Sequence, residues 1–215
     1  MNLTMQQPEP AMRTDLKPWA TCSIKPVWDD AQVHALHAYF NCCPESPDGQ
    51  WVALFVSGQA QAHVGELWLI NRHDQQTMLV DQQVHVEDAH RQAMQQWVCN
   101  GESLVYMSEQ NGTWQVKRFE IKTRKLTVIH EDAQLFVGSP LMDVVPLYGK
   151  PWQPDGHQDL MLLDIRSGIA KTVLTLDQVL ADFSSQIKAI FTDVTPDCIA
   201  YPVLSPDGSR VMFKL

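Results

Sequence analysis

Short runs of apolar, strand-forming residues alternate with polar turns along most of the chain. Two of these runs follow nearly identical turns, Ser46-Pro47-Asp48-Gly49 and Ser205-Pro206-Asp207-Gly208. In each turn the proline fixes φ and the glycine supplies a positive φ, which is typical of a tight connection between two strands. Two such turns with the same flanks indicate a repeated unit rather than an isolated hairpin.

The spacing of the turn glycines sets the length of this unit. Gly101 follows Gly49 by 52 positions, and Gly208 follows Gly101 by 107, or two steps of about 53. A period near 50 residues with four strands per unit is the signature of a propeller blade. The sequence therefore predicts an all-β fold, a partial β-propeller of four-stranded blades, with about three and a half blades in this chain.

The apolar runs between the turns predict four strands in each complete unit. We expect strands at residues 39–43, 51–56, 66–70 and 77–80 in the first unit, at 94–99, 103–107, 115–121 and 126–130 in the second, at 135–137, 144–148, 160–165 and 171–174 in the third, and at 199–204 and 211–214 in the fourth. We assign residues 1–30 to a polar tail with one possible outer strand. Residues 31–215 form the propeller domain, which we expect to be truncated at its C-terminus.

One segment departs from the strand pattern. Apolar residues recur at helical spacing between residues 175 and 191, which predicts one helix inserted before the fourth unit. Thr175 and Gln178 have the spacing of a capping box, which satisfies backbone groups at a helix start. The helix could cover an edge of the ring or form one wall of a ligand cleft.

The composition restricts the classes of partner. The chain has 215 residues, of which 45% are hydrophobic and 19% charged, with a net charge of −9. Nucleic acids and anionic membranes need basic surface, so we expect neither as a partner. The five cysteines lack metal-binding spacing, residues 1–20 lack the pattern of a signal peptide, and no apolar run approaches the roughly 20 residues that span a bilayer. We therefore expect a cytoplasmic protein with reduced thiols.

Polar side chains just before the predicted inner strands are the best candidates for a site. In a propeller these strands line the central channel, and the loops that lead into them build the binding face. Before the second unit, His90 could act as a general base or a metal ligand, because histidine titrates near neutrality. Arg91 could hold a carboxylate in a two-pronged hydrogen bond. The alternative is a solvated loop anchored by Trp97.

Other polar residues near these loops are candidates for substrate binding. Gln96 could donate to a hydroxyl group or ligate a metal through its carbonyl oxygen. His37, Tyr39 and Asn41 lie at the start of the first unit. A pair of histidines such as His34 and His37 is a weak metal signal, since a site needs three or more ligands. The metal ligands therefore stay unknown from the residues alone.

The repeated Ser-Pro-Asp-Gly turns, each followed by an apolar strand, resemble those of TolB-like and WD40-like β-propellers. The run Leu67-Trp68-Leu69-Ile70 is similar to the third strand of their blades. The blocks His37-Ala38-Tyr39-Phe40-Asn41 and Tyr201-Pro202-Val203-Leu204-Ser205-Pro206-Asp207-Gly208 are closest in look to the oligogalacturonate lyase family. This resemblance implies a ring of seven blades, a histidine base, and manganese held by histidines and a glutamine near the central channel.

Two hypotheses from different classes follow. The first is a carbohydrate-active propeller of the oligogalacturonate lyase type, a lyase that acts by β-elimination on an acidic oligosaccharide in pectin degradation and binds a divalent cation. The second is a non-catalytic propeller that binds a protein or a glycan. Because the fourth unit lacks its outer strands, we also expect self-association through the open edge of residues 211–214.

Overall fold

The computed structural model describes residues 26–30, 32–60, 62–87, 92–148 and 157–215. Most of the predicted tail lies outside them. Within these ranges the chain forms fourteen strands, two α-helices and one short 3-10 helix, Cys99–Gly101. The strands are β1 (His34–Leu36), β2 (Trp51–Ser57), β3 (Val64–Asn71), β4 (Thr77–His85), β5 (Gln96–Val98), β6 (Ser103–Gln110), β7 (Thr113–Glu120), β8 (Lys125–Glu131), β9 (Gln134–Leu135), β10 (Val144–Tyr148), β11 (Leu160–Asp164), β12 (Ala170–Leu174), β13 (Ala200–Leu204) and β14 (Val211–Lys214).

Consecutive strands pair side by side in four antiparallel sheets. Sheet 1 contains β1 to β4, sheet 2 contains β5 to β8, and sheet 3 contains β9 to β12. Sheet 4 contains β13 and β14. Sequential four-stranded meanders of this kind are the blades of a propeller. The predicted all-β partial propeller, with three complete blades and half of a fourth, is confirmed.

The apolar core lies between neighbouring sheets because alternate residues of each strand point to opposite faces. In β2, Ala53 and Phe55 pack against Leu104 and Tyr106 of sheet 2. Leu54, between them in the chain, belongs to a separate cluster on the other face of sheet 1. A further cluster fills the space between sheets 2 and 3.

A buried ion pair also joins sheets 1 and 2. The Lys117 Nζ of β7 lies 2.8 Å from Asp81 Oδ2 of β4, and the Tyr106 hydroxyl donates to the same oxygen at 2.6 Å. Lys117 is 5% exposed and Tyr106 is fully buried. The single carboxylate therefore satisfies two polar groups that burial would otherwise leave without partners.

The two Ser-Pro-Asp-Gly turns have the same internal hydrogen bonds. Ser46 Oγ donates to Asp48 Oδ1 at 2.6 Å and accepts from the Trp51 N–H at 2.9 Å. The second turn repeats this with Ser205, Asp207 and Arg210, at 2.6 and 3.0 Å. Their glycines have φ of +71° and +67°. The repeated words of the sequence therefore form the same local structure in sheets 1 and 4.

The predicted position of the inner strand of sheet 1 is wrong. The observed inner strand, β1, lies at His34–Leu36 and pairs with Phe55 to Ser57 of β2. The predicted residues 39–43 instead begin with a turn, in which the Cys42 N–H donates to the Tyr39 carbonyl at 2.8 Å. A backbone that is bonded within a turn cannot pair along a neighbouring strand.

The single predicted helix is also wrong, because the segment forms two. Helix α1 spans Leu176–Asp182 and helix α2 spans Ser184–Ile190. Phe183 separates them with φ −116° and ψ 24°, whereas the predicted capping box of Thr175 and Gln178 is present. The break keeps the apolar residues of both helices on one cluster beside sheets 3 and 4.

Candidate functional site

Segments at the inner ends of all four sheets meet around one cavity of about 290 Å³, which we call the axial cavity. Its wall includes Asn41 and Cys43 from the loop between β1 and β2, Gln96 of β5, Gly138 after β9, and Val203 of β13. In propellers, ligand sites form near the axis where the inner strands converge. The axial cavity is therefore the candidate site of the described chain.

Gln96 forms the side of the cavity between sheets 2 and 3. Its Nε2 donates to the carbonyl oxygens of Phe136, at 2.8 Å, and Met94, at 3.3 Å. Its Oε1 accepts from the Gly138 N–H at 2.7 Å. Both amide hydrogens and one oxygen lone pair are thus used by the backbone, so a ligand could reach only the second lone pair of Oε1.

Close approach at this point requires a glycine. A Cβ at position 138 would lie 2.7 Å from Val145 Cγ1 and 3.3 Å from Gln96 Oε1. Nearby, the Ser139 hydroxyl donates to the Pro206 carbonyl at 2.8 Å and connects sheet 3 to the turn of sheet 4. The sequence reading missed Gly138 and Ser139. Their small size directly after an inner strand was the available signal.

The described wall of the axial cavity is neutral. Its residues include none of Asp, Glu, His, Lys or Arg. Burial, with a smaller contribution from the neighbouring Cys43, raises the pKa of the Cys42 thiol to about 12, so this thiol is protonated at neutral pH. The Asn41 amide and the Cys43 thiol are exposed. Such a wall can contact the C–H faces and hydroxyl groups of a ligand but carries no carboxylate, imidazole, ammonium or guanidinium group.

The structure brings together two of the predicted substrate-binding residues, Asn41 and Gln96. His37 lies elsewhere, on a separate cavity of about 490 Å³ with His34 and Leu54. That cavity opens on the face of sheet 1 that is turned away from sheet 2. Tyr39 packs on the core cluster between sheets 2 and 3, with its ring centroid 4.4 Å from that of Phe40.

The two predicted catalytic residues, His90 and Arg91, lie outside the described residues, and their roles stay predictions. The described chain resumes at Gln92, which is 2% exposed. Three residues later, the Gln95 amide nitrogen donates to the Leu36 carbonyl of the inner strand of sheet 1, at 3.3 Å. The end of this lead-in therefore joins the inner strands of sheets 1 and 2.

A metal site does not follow from the described residues. No group of three or more His, Cys, Asp or Glu side chains in this part of the chain is arranged to hold a metal ion. The amides of Asn41 and Gln96 are neutral oxygen donors, and one of the two Gln96 oxygen lone pairs is already used. These donors do not fit a manganese site.

The architecture can now be compared with known proteins. No protein-family model and no curated protein matches the chain. Among solved structures, oligogalacturonate lyase from Vibrio parahaemolyticus is similar, with a TM-score of 0.55 and 14% identity over 88% of this chain and 47% of that one. The fold is that of a β-propeller.

Two other solved structures support the same propeller fold, including a TolB protein, which the chain resembles. TolB from Acinetobacter baumannii has a TM-score of 0.50 and 12% identity over 84% of this chain and 37% of its own. An oligogalacturonate lyase in complex with manganese has a TM-score of 0.51 and 11% identity over 84% of this chain and 53% of its own. The chain thus spans about half or less of the length of these propellers. No helix in the described ranges is long and apolar enough to cross a membrane.

Proposed function

We propose that this chain is part of a carbohydrate-active propeller that binds an acidic oligosaccharide in the axial cavity and cleaves it by β-elimination. The observation that carries the proposal is the convergence of all four sheets on one cavity whose wall includes Asn41 and Gln96, two of the residues selected from the sequence. Solved propellers of similar fold include two oligogalacturonate lyases, which makes a uronate oligosaccharide the substrate class to test first.

In this proposal the axial cavity binds the oligosaccharide, and two residues of the segment that leads into sheet 2, His90 and Arg91, carry out the reaction. Arg91 pairs with the uronate carboxylate, and this pairing favours the negative charge that develops when the adjacent carbon loses its proton. His90 takes that proton as a general base. The electron pair of the broken C–H bond forms the second bond of a carbon–carbon double bond. The glycosidic oxygen leaves with the electrons of its bond to carbon and acquires a proton. The product is an unsaturated uronate.

The experiment measures the ultraviolet absorbance of this unsaturated product from a galacturonate trimer. The full chain is compared with the variants His90→Ala and Arg91→Ala. The controls are His73→Ala and Arg124→Gln, which change exposed residues in turns remote from the axial cavity. We expect each of the first two variants to lose at least about a hundredfold in rate, the lower range for a general base. Equal rates in all variants would remove both residues from the mechanism.

The neutral wall of the axial cavity favours a second candidate, a propeller that binds a glycan without cleaving it. Calorimetry with the same trimer separates the two. Heat of binding without any product absorbance would support the binding module and contradict the lyase.

We also propose that the protein acts in the cytoplasm. The four described cysteines, at positions 42, 43, 99 and 198, are free thiols. Free thiols are typical of a reducing compartment. Thiol titration of the protein after isolation under alkylating conditions would test this, because disulfides recovered from the cell would contradict it.

A further inference from the structure

Tyr201 has an unusual backbone for an aromatic residue in a strand. It is the second residue of the inner strand β13, and its φ is +53°. Among the described residues, every other non-glycine position with a positive φ lies in a turn, a loop or the short 3-10 helix Cys99–Gly101, whereas Tyr201 lies where the register between β13 and β14 shifts. An aromatic side chain in this left-handed region is strained, and strain of this kind persists where the surroundings hold it, often at functional sites.

The strained backbone presents the ring to solvent instead of burying it. Tyr201 is 41% exposed, although the strand places it beside the aromatic residues of sheet 3. Its ring centroid lies 5.6 Å from that of Phe136 and 5.2 Å from that of Tyr148, and both of those rings are buried. The two buried rings form a rigid base under an exposed ring, which favours a contact surface over a core position.

A cation completes this surface. The Lys214 Nζ of β14 lies 5.9 Å from the centroid of the Tyr201 ring. Lys214 is exposed and makes no ion pair with the described residues, whereas Lys117 is paired with Asp81. An exposed ammonium group beside an exposed aromatic ring can bind a ligand that has both an anionic group and an apolar ring face.

Gln134 is a buried polar residue on sheet 3, the sheet that contains Tyr148. It is 4% exposed, and neither its amide nitrogen nor its amide oxygen has a hydrogen-bond partner among the described residues. In the register of β9 and β10 it lies directly opposite Tyr148, so both side chains are on one face of sheet 3. Buried side-chain amides without hydrogen-bond partners are rare in proteins.

This surface continues the axial cavity along β13. Val203, two residues after Tyr201, is on the cavity wall. The pairing of β13 with β14 shifts register between Ala200 and Val203, so the two residues advance by less than the roughly 6.6 Å of a regular strand. A ligand longer than one sugar could therefore occupy the cavity and also reach Tyr201.

We propose that Tyr201 and Lys214 form a subsite for a second uronate unit of the oligosaccharide, an inference that rests on the function proposed above. The sugar ring packs its C–H face on Tyr201, and its carboxylate pairs with the Lys214 ammonium. Tyr201 supplies apolar contact with any sugar, and Lys214 supplies selectivity for an acidic one.

The test is calorimetric binding of a galacturonate trimer and of a neutral galactose trimer to the full chain. Lys214→Gln should weaken binding of the acidic trimer about tenfold and leave the neutral trimer within about twofold. Tyr201→Asn, which removes the ring but tolerates a positive φ, should weaken both trimers about tenfold, the lower range for stacking on an aromatic side chain. Tyr201→Phe and Met212→Gln are the controls, because the first keeps the ring and the second changes an exposed neighbour of Lys214.

The outcomes separate this subsite from the proposed lyase. Binding that depends on Tyr201 and Lys214 without cleavage would support the subsite and contradict the lyase activity. Binding that is unchanged in both Lys214→Gln and Tyr201→Asn would overturn the subsite, even if the wild type cleaves the trimer. Absence of trimer binding by the wild type would overturn both proposals. If Tyr201→Asn does not fold, the exposed Lys214→Gln variant decides.

Discussion

The buried ion pair between sheets 1 and 2 gives the sharpest prediction about stability. In Asp81→Ala, the Lys117 ammonium and the Tyr106 hydroxyl lose the oxygen that accepts from both of them. Lys117 stays 5% exposed in the folded state, so water does not readily replace that partner. Breaking a buried pair by removing one partner costs about 3–5 kcal/mol.

The structure favours the lower end of that range. The Asp81 side chain keeps 16% of its exposure, so the variant can admit some water to the gap. We expect Asp81→Ala to lose about 3 kcal/mol of unfolding free energy, a large part of the 5–15 kcal/mol typical of a domain. Urea unfolding followed by tryptophan fluorescence measures this loss, provided that the slope of the unfolding free energy against urea concentration is the same in the variant and the wild type.

A double-mutant cycle isolates the pair itself. Lys117→Met removes the charge and keeps most of the apolar stem, and the double variant Asp81→Ala/Lys117→Met should recover most of the loss because no buried charge then lacks a partner. Glu109→Ala changes an acid on β6 that makes no ion pair with another described residue. It is the matched control and should stay within about 0.5 kcal/mol of the wild type. A loss below about 1 kcal/mol in Asp81→Ala, or no recovery in the double variant, would refute the reasoning.

The same pair predicts a dependence on pH. Burial alone would raise the pKa of Asp81, but hydrogen bonds from Lys117 and Tyr106 and the lysine charge outweigh it, and the pKa is lowered. A lowered carboxyl pKa contributes stability that is present above the unfolded value of about 3.9 and is lost as the pH falls through the folded value. Wild-type stability should therefore fall more steeply below pH 4 than that of Asp81→Ala, and parallel curves would contradict this.

Two further predictions concern other parts of the fold. Gly49→Ala should lower the free energy of unfolding, measured in urea, by about 1–2 kcal/mol because φ is +71° at this position. The control Gly58→Ala, with no atom within 4 Å of the added Cβ, should not lower it. Equal effects of the two changes would contradict the turn assignment. Gln96→Leu should cost about 1–3 kcal/mol by leaving backbone groups without partners, and an unchanged urea midpoint would contradict that bridging role.

The sequence by itself determined the repeated blade. Proline, aspartate and glycine set the turn geometry through φ preferences and hydrogen bonds within a few residues, so the matching turns at Gly49 and Gly208 could be recognised without any tertiary information. The same holds for the capping box of Thr175 and Gln178, which joins two side chains one helical turn apart. The spacing of these local signals then predicted the number of sheets.

Only the tertiary structure decided which polar residues share a site. Asn41, in the loop between β1 and β2, and Gln96 of β5 meet at one cavity, whereas His37, four residues before Asn41, lies on another. A turn from Tyr39 to Cys42, which contains Asn41, is found where strand-forming residues had predicted a strand. The strained backbone of Tyr201 likewise depends on aromatic contacts with sheet 3, more than fifty residues earlier in the chain. Short-range preferences determine turns and strands, but packing between sheets determines where a side chain points.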